Sequence, residues 1–128
     1  MSLAGNLKAE TKKDATIKQS FLGELKEANR ESFTDLILTY KTDSVVFFYN
    51  TKTTNYYQRR EAFQINLLAK TLKSKIADIE KKINFYSYDV TLSGIPEGIE
   101  EITYLQADTK SHKSGWSAIY LFPADLKT

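Results

Sequence analysis

Residues 44–49 read Ser-Val-Val-Phe-Phe-Tyr, an unbroken apolar run of β-branched and aromatic side chains. A strand with one face in water alternates polar and apolar positions, so a continuous run is the pattern of a central strand covered on both faces. The run breaks at Asn50-Thr51-Lys52-Thr53-Thr54-Asn55, a polar loop rich in turn formers. A long helix is expected from about Tyr57, with Phe63, Leu67, Leu72, Ile76, Ile79 and Ile83 as its apolar stripe. Lys70, Lys73, Lys75, Lys81 and Lys82 fall mostly on the other side, where they read as a solvated face.

The flanking segments are less marked. Met1 to Lys13 has isolated leucines and no period, the composition of a frayed leader, which leaves residues 14–128 as a single domain. Between Ala15 and Asn29 the spacing of Ile17, Phe21 and Leu25 predicts a helix, interrupted by Gly23; a short strand at Glu24 to Ala28 competes with it. Ser32 is placed to cap a helix whose Phe33, Leu36, Ile37 and Tyr40 share a face. Asn84 to Leu92 alternates, predicting a second strand that ends at Ser93-Gly94-Ile95-Pro96. Glu97 to Asp108 suggests a short helix and then a strand at about Glu101 to Gln106, followed by a polar loop from Thr109 to Gly115. Ser117 to Phe122 gives a last strand, closed by Pro123. Strands separated by a long helix imply an α/β layout with at least one crossover.

Composition narrows the chemistry. The 128 residues, 41% hydrophobic and 12% aromatic, suffice for one packed core. Eighteen basic against 16 acidic residues give a net charge of +2, far from the concentrated positive charge that binding a phosphate backbone demands, so nucleic acid is not the expected partner. No apolar run approaches the roughly 20 residues of a membrane-spanning helix, and Met1 to Glu10 lacks the apolar core of a signal peptide. With no cysteine, disulfides, thiolate metal sites and cysteine nucleophiles are excluded together.

In order and spacing, several segments resemble the thioredoxin-like domains of protein disulfide isomerases. Val45-Val46-Phe47-Phe48-Tyr49 is similar to the strand before the redox motif, and Arg59 to Leu72, with Leu68-Ala69-Lys70, to the helix after it. Ser117 to Ala124 is similar to the strand ending in Phe-Pro-Ala, Phe33 to Leu38 to the preceding helix, and Tyr86 to Thr91 to the third strand. The resemblance spans about Phe33 to Ala124 and implies an α/β sandwich of three layers, a central mixed sheet with flanking helices. It also implies where function would lie. The family's Cys-x-x-Cys pair, activated at the helix start, is replaced here by about Thr54-Asn55-Tyr56-Tyr57. Its buried acidic residue corresponds to Phe47, and its cis-proline to Ser117, where a trans bond is expected because a non-proline cis bond costs about 2.5–4 kcal/mol. The family's last strand and helix are missing or replaced, unless the stretch from Glu97 to Gly115 supplies a strand. Three losses on one surface imply a redox-inactive domain that binds protein or peptide in a chaperone-like or scaffolding role, in the endoplasmic reticulum lumen if the resemblance extends that far.

The candidate peptide-binding residues are Thr54, Asn55, Tyr56, Tyr57, Arg59, Arg60, Trp116 and Ser117, since exposed aromatic and cationic groups suit peptide contacts. The bland alternative is that Tyr57 packs inward while the arginines face water. Elsewhere there is little to build on. His112 is the only histidine and has no carboxylate near it in sequence. Glu97, Glu100 and Glu101, with Asp108 beyond, read as an acidic first turn of a helix rather than a metal site. None of the five glycines sits in a phosphate loop, a calcium loop or a nucleophile elbow. No cofactor, metal or catalytic group is therefore expected. A second reading has no thioredoxin relationship at all: a small α+β structural or assembly subunit, with an N-terminal helix against an antiparallel sheet. Strand order separates the two.

Overall fold

The computed structural model describes residues 22–39, 41–51, 56–106 and 117–126. Along the chain run β1 (Lys26–Ala28), α1 (Arg30–Phe33) continuing as a π-helix over Thr34–Thr39, β2 (Asp43–Tyr49), α2 (Tyr56–Lys75), β3 (Ile83–Asp89), α3 (Val90–Ser93) and β4 (Ala118–Phe122). Short 3-10 segments occupy Ile79–Lys81, Glu100–Gln106 and Ala124–Leu126. The four strands form one mixed sheet in the order β1-β3-β2-β4. β1, β3 and β2 are parallel, and β4 pairs antiparallel with β2 along the sheet edge. The protein is thus an α/β domain, and its sheet is not the antiparallel one of the second sequence reading.

β2 lies at the centre of this sheet, and its unbroken apolar run is explained by cover on both sides. Val46 and Phe48 join Phe33, Ile37, Tyr86, Tyr88, Ile102 and Leu105 in one cluster. Phe47 and Tyr49 join Leu22, Leu25, Ala62 and Phe85 in another, with Ile65, Ala69 and Leu72 of α2 packed against it. The register agrees: Val46 faces Tyr86 and Phe48 faces Tyr88 across the strands, while Val45 faces Phe85 and Phe47 faces Ser87. In the first cluster the aromatic rings meet edge-on or tilted, Phe33 on Tyr88 at 5.7 Å and Phe48 on Tyr88 at 5.2 Å, the geometry that ring quadrupoles favour.

Several expectations are corrected. Lys26–Ala28 is a strand, as the competing reading of Glu24 to Ala28 had it, and not the end of a helix, because its backbone groups pair with Tyr86–Tyr88; Ile17 and Phe21 lie outside the described residues. The helix cap is Asn29 rather than Ser32: the Asn29 side chain accepts from Ser32 N–H at 2.8 Å, and the Ser32 hydroxyl accepts from Asn29 N–H at 3.0 Å, a reciprocal capping box. α2 ends at Lys75, so Ile79 falls in a 3-10 turn and Ile83 opens β3. Its buried face is Gln58 and Ala62, with Ile65, Ala69 and Leu72, not the stripe through Phe63 and Leu67, both of which are exposed. The five lysines from Lys70 to Lys82 are exposed as expected. β3 is buried along nearly its whole length rather than on one face, and Asp89 ends it by capping α3. Glu100–Gln106 is 3-10 helical and buries Ile102 and Leu105 under the sheet, so it supplies no additional strand.

Burial has a consequence for pH. Tyr88, fully buried in the first cluster, is pushed up to about 12 by the loss of water around its hydroxyl, although the Arg30 charge acts in the opposite direction. A tyrosine whose pKa is higher in the folded state stabilises the fold fully below its unfolded pKa near 10, and this stabilisation is lost as pH rises through the folded value. Unfolding curves from pH 9 to pH 12.5 should therefore show stability level to about pH 10 and falling from there towards pH 12. Phenolate absorbance should show Tyr88 ionising only as the fold is lost.

Candidate functional site

The parallel strands β2 and β3 both end at one rim of the sheet, and α2 starts above it. In open α/β sheets this rim, beyond the carboxyl ends of the strands, is the usual place for ligands. Here the rim rests on a buried polar lattice. The Asp89 carboxylate accepts hydrogen bonds from Thr91 N–H at 2.9 Å, from Thr51 N–H at 3.4 Å and from the Thr51 hydroxyl. Thr91 donates its hydroxyl to Asn50 Oδ1, and Asn50 Nδ2 donates to the Leu105 carbonyl at 2.6 Å. Asn50 N–H donates to Gln58 Oε1 at 3.4 Å, which ties the end of β2 to the first turn of α2. A polar side chain this deeply buried is tolerated because it is hydrogen-bonded, which is why Gln58 rather than a neighbouring tyrosine points inward.

With Gln58 turned in, Tyr56 and Tyr57 are turned out, 60% and 59% exposed, their rings meeting edge-on at 5.6 Å. The expectation that Tyr57 packs inward is therefore corrected. Arg59 and Arg60 follow, both exposed. Glu61, at the inner edge of the same turns, accepts a hydrogen bond from the Ser117 hydroxyl, 56 residues away in sequence. This contact brings the entry to β4 against the start of α2, so Tyr56, Tyr57, Arg59, Arg60 and Ser117 gather at one end of the domain. Thr54, Asn55 and Trp116 lie outside the described residues, as does the peptide bond preceding Ser117.

Glu61 and Glu101 each perturb a neighbouring tyrosine. Tyr104 has its pKa raised, first by partial burial and then by the charge of Glu61. The Tyr120 hydroxyl donates to Glu101, which holds that carboxylate below the usual range. Partial burial and the same hydrogen bond push Tyr120 up to about 12. Among the described residues no cluster of three or more His, Cys, Asp or Glu could hold a metal ion; His112 and Asp108 lie outside them. Nor is any described helix long and apolar enough to cross a membrane.

Sequence reasoning missed Gln58, Glu61, Asn50, Thr51, Asp89 and Thr91. Only one of them carries a local signal: an aspartate two residues before a threonine, at the end of a strand, is the pattern of a helix cap. The others owe their place to contacts far apart in sequence. No protein-family model matches this chain, and no curated protein is significantly similar to it.

Proposed function

We propose that this is a redox-inactive, thioredoxin-like domain that binds protein or peptide segments at the end of the sheet where α2 begins. The observation that carries the reading is the outward pair Tyr56 and Tyr57 beside Arg59 and Arg60, next to Ser117 and above the carboxyl ends of β2 and β3. Two rigid aromatic rings and two guanidinium groups offer a peptide stacking area, cation–π contact and hydrogen-bond donors at low entropic cost. The thioredoxin-like assignment is supported by the sheet order β1-β3-β2-β4, with a parallel β2–β3 pair joined through α2 and β4 antiparallel at the edge. Dithiol chemistry has no thiol to proceed through, which leaves recognition as the role of this surface.

The test is binding of an immobilised peptide library by the full chain, compared with a Tyr57→Ala, Arg60→Ala double variant. Both side chains are exposed, so the variant should unfold at the same denaturant concentration as the parent. Its affinity for recovered peptides should fall at least about 30-fold, the effect of removing an aromatic or arginine anchor. Unchanged binding by the variant would reject the site.

A further inference from the structure

The charged side chains at the start of α2 are unevenly disposed. Arg59 and Arg60 are both exposed, and the first turn of the helix holds no acidic residue. Side chains three or four apart on a helix are neighbours, about 5–6 Å between Cβ atoms, whereas those one or two apart do not face each other. Within α2 the residues at the neighbouring spacings from Arg59 and Arg60 are Tyr56, Tyr57, Ala62, Phe63 and Gln64. No carboxylate is among them, and Tyr56, Tyr57 and Phe63 are aromatic. Glu61 follows the arginines too closely to face them, and its carboxylate is held by the Ser117 hydroxyl. Asp89, buried at the same rim and 3% exposed, takes its hydrogen bonds from Thr51 and Thr91. Both carboxylates are thus engaged by neutral donors of the protein, and the charges turned outward here, among the described residues, are the two guanidiniums. The stretches that border this end in sequence outside the described residues do not reverse the sign: 52–55 and 107–116 carry Lys52, Lys110 and Lys113 against Asp108 alone.

We infer that the peptides bound here are acidic, with an Asp or Glu side chain one or two positions from an aromatic or aliphatic one. The inference rests on the peptide-binding reading of this surface and adds the charge of the ligand to it. A guanidinium presents a planar fork of donors that matches a carboxylate, and such charge-assisted pairs are stronger than neutral hydrogen bonds. Tyr56 and Tyr57 lie four and three residues before Arg60, so an apolar side chain on the rings and a carboxylate on the guanidinium sit about 5–6 Å apart. An extended peptide advances about 3.3 Å per residue, which spans that gap in one or two steps. A lysine-rich segment would instead meet two like charges. Nucleic acid fits less well, because two arginines on a chain of net charge +2 fall short of the concentrated positive charge that a phosphate backbone demands.

The test uses three peptides capped at both ends that differ only in charge: Ser-Glu-Phe-Glu-Ser-Gly, the same peptide with glutamine for both glutamates, and the same with lysine. Binding to the full chain is read by fluorescence anisotropy from an uncharged dye. The acidic peptide should bind at least about 10-fold more tightly than the glutamine form, the effect of a hydrogen bond to a charged group, and the lysine form should bind most weakly. The preference should shrink as salt rises from about 0.05 M to about 0.5 M, since exposed charges are screened over that range. In the Arg59→Gln, Arg60→Gln double variant the acidic peptide should fall to the affinity of the glutamine form, and Arg59→Glu with Arg60→Glu should reverse the preference in favour of lysine. Equal binding of all three peptides, weakened alike by Tyr57→Ala, overturns the inference and leaves the peptide-binding reading standing. A preference for the acidic peptide that survives in the double glutamine variant overturns it too, because the charge would then be read elsewhere. So does displacement of the acidic peptide by single-stranded oligothymidylate at lower concentration than by unlabelled acidic peptide. If none of the three binds, the inference fails, and the library experiment shows whether the peptide-binding reading fails with it.

Discussion

Replacing Phe47 by aspartate is expected to unfold the domain at neutral pH. Phe47 is fully buried on the α2 side of β2, stacked on Tyr49 at 5.6 Å with the rings 19° from parallel, in a cluster completed by Leu22, Leu25, Ala62 and Phe85. Removing a buried phenylalanine costs about 3–5 kcal/mol through lost transfer energy and the cavity left behind. An ionised carboxylate in its place adds several kcal/mol of desolvation, because that cluster offers no cation to pair with. The sum is comparable to the whole stability of about 5–15 kcal/mol typical of a domain. Phe47→Leu, which keeps the position apolar, should lose only about 1–2 kcal/mol and unfold cooperatively. The sign with pH follows from burial. The introduced carboxyl has its pKa raised in the folded state, so the stability it permits is present below the ordinary value of about 3.9 and lost as pH rises. Far-ultraviolet circular dichroism should therefore show less loss relative to the parent at pH 3.5 than at pH 7. A fully folded Phe47→Asp protein at neutral pH would show that water reaches this side of the sheet.

The two sides of Phe47 also indicate how far the sequence could be read. β2 was legible because burial on both faces leaves no polar position in the run, and that signal is local. α2 was equally legible as a helix, but its inward face was not. Hydrophobic periodicity favours the stripe through Phe63 and Leu67, whereas the helix approaches the sheet through Ala62 and Ala69, where small side chains allow close contact, and through Gln58, whose amide is held by Asn50. A helix apolar on two faces gives periodicity no way to choose between them. The strand Lys26–Ala28 was legible only as an alternative to a helix, because three residues are too few to set a period, and pairing with β3, more than 50 residues away, decides it. Glu100–Gln106 has the β-branched and aromatic content of a strand, yet it is wound as a 3-10 helix that buries Ile102 and Leu105 against the first cluster, a contact between residues far apart in sequence that no local pattern records. In the candidate site Tyr56, Tyr57, Arg59 and Arg60 could be named from their run along the chain. Their meeting with Ser117 depends on Glu61, which no local pattern marks.

Asp89 should prove the most sensitive polar residue of the site. Its carboxylate is buried at the junction of β3, α3 and the end of β2, and it accepts from two backbone N–H groups, those of Thr51 and Thr91, and from the Thr51 hydroxyl. In Asp89→Ala these donors are stranded where water has little access, at about 1–3 kcal/mol for each unsatisfied group, and the cap of α3 is lost as well. A total of about 3–5 kcal/mol is expected, read as a lower urea midpoint at unchanged slope, since the area exposed on unfolding stays the same. Asp89→Asn keeps one oxygen acceptor for the two N–H groups and should lose about half as much. Hydrogen exchange distinguishes this mechanism from a general loosening. In the alanine variant the Thr51 and Thr91 amides should exchange well before those of Val46 and Tyr86 at the sheet centre, whose protection reports global unfolding. The disturbance then reaches the start of α2 through Asn50, which precedes Thr51, accepts from the Thr91 hydroxyl and holds Gln58 in the first turn of the helix. If the Tyr57 and Arg60 surface binds peptide, Asp89→Ala should weaken that binding at temperatures where the domain remains folded, although Asp89 is buried 3% exposed beneath it. Peptide affinity unchanged in a folded Asp89→Ala protein would mean that the start of α2 is held by its packing against the sheet and not by the polar lattice.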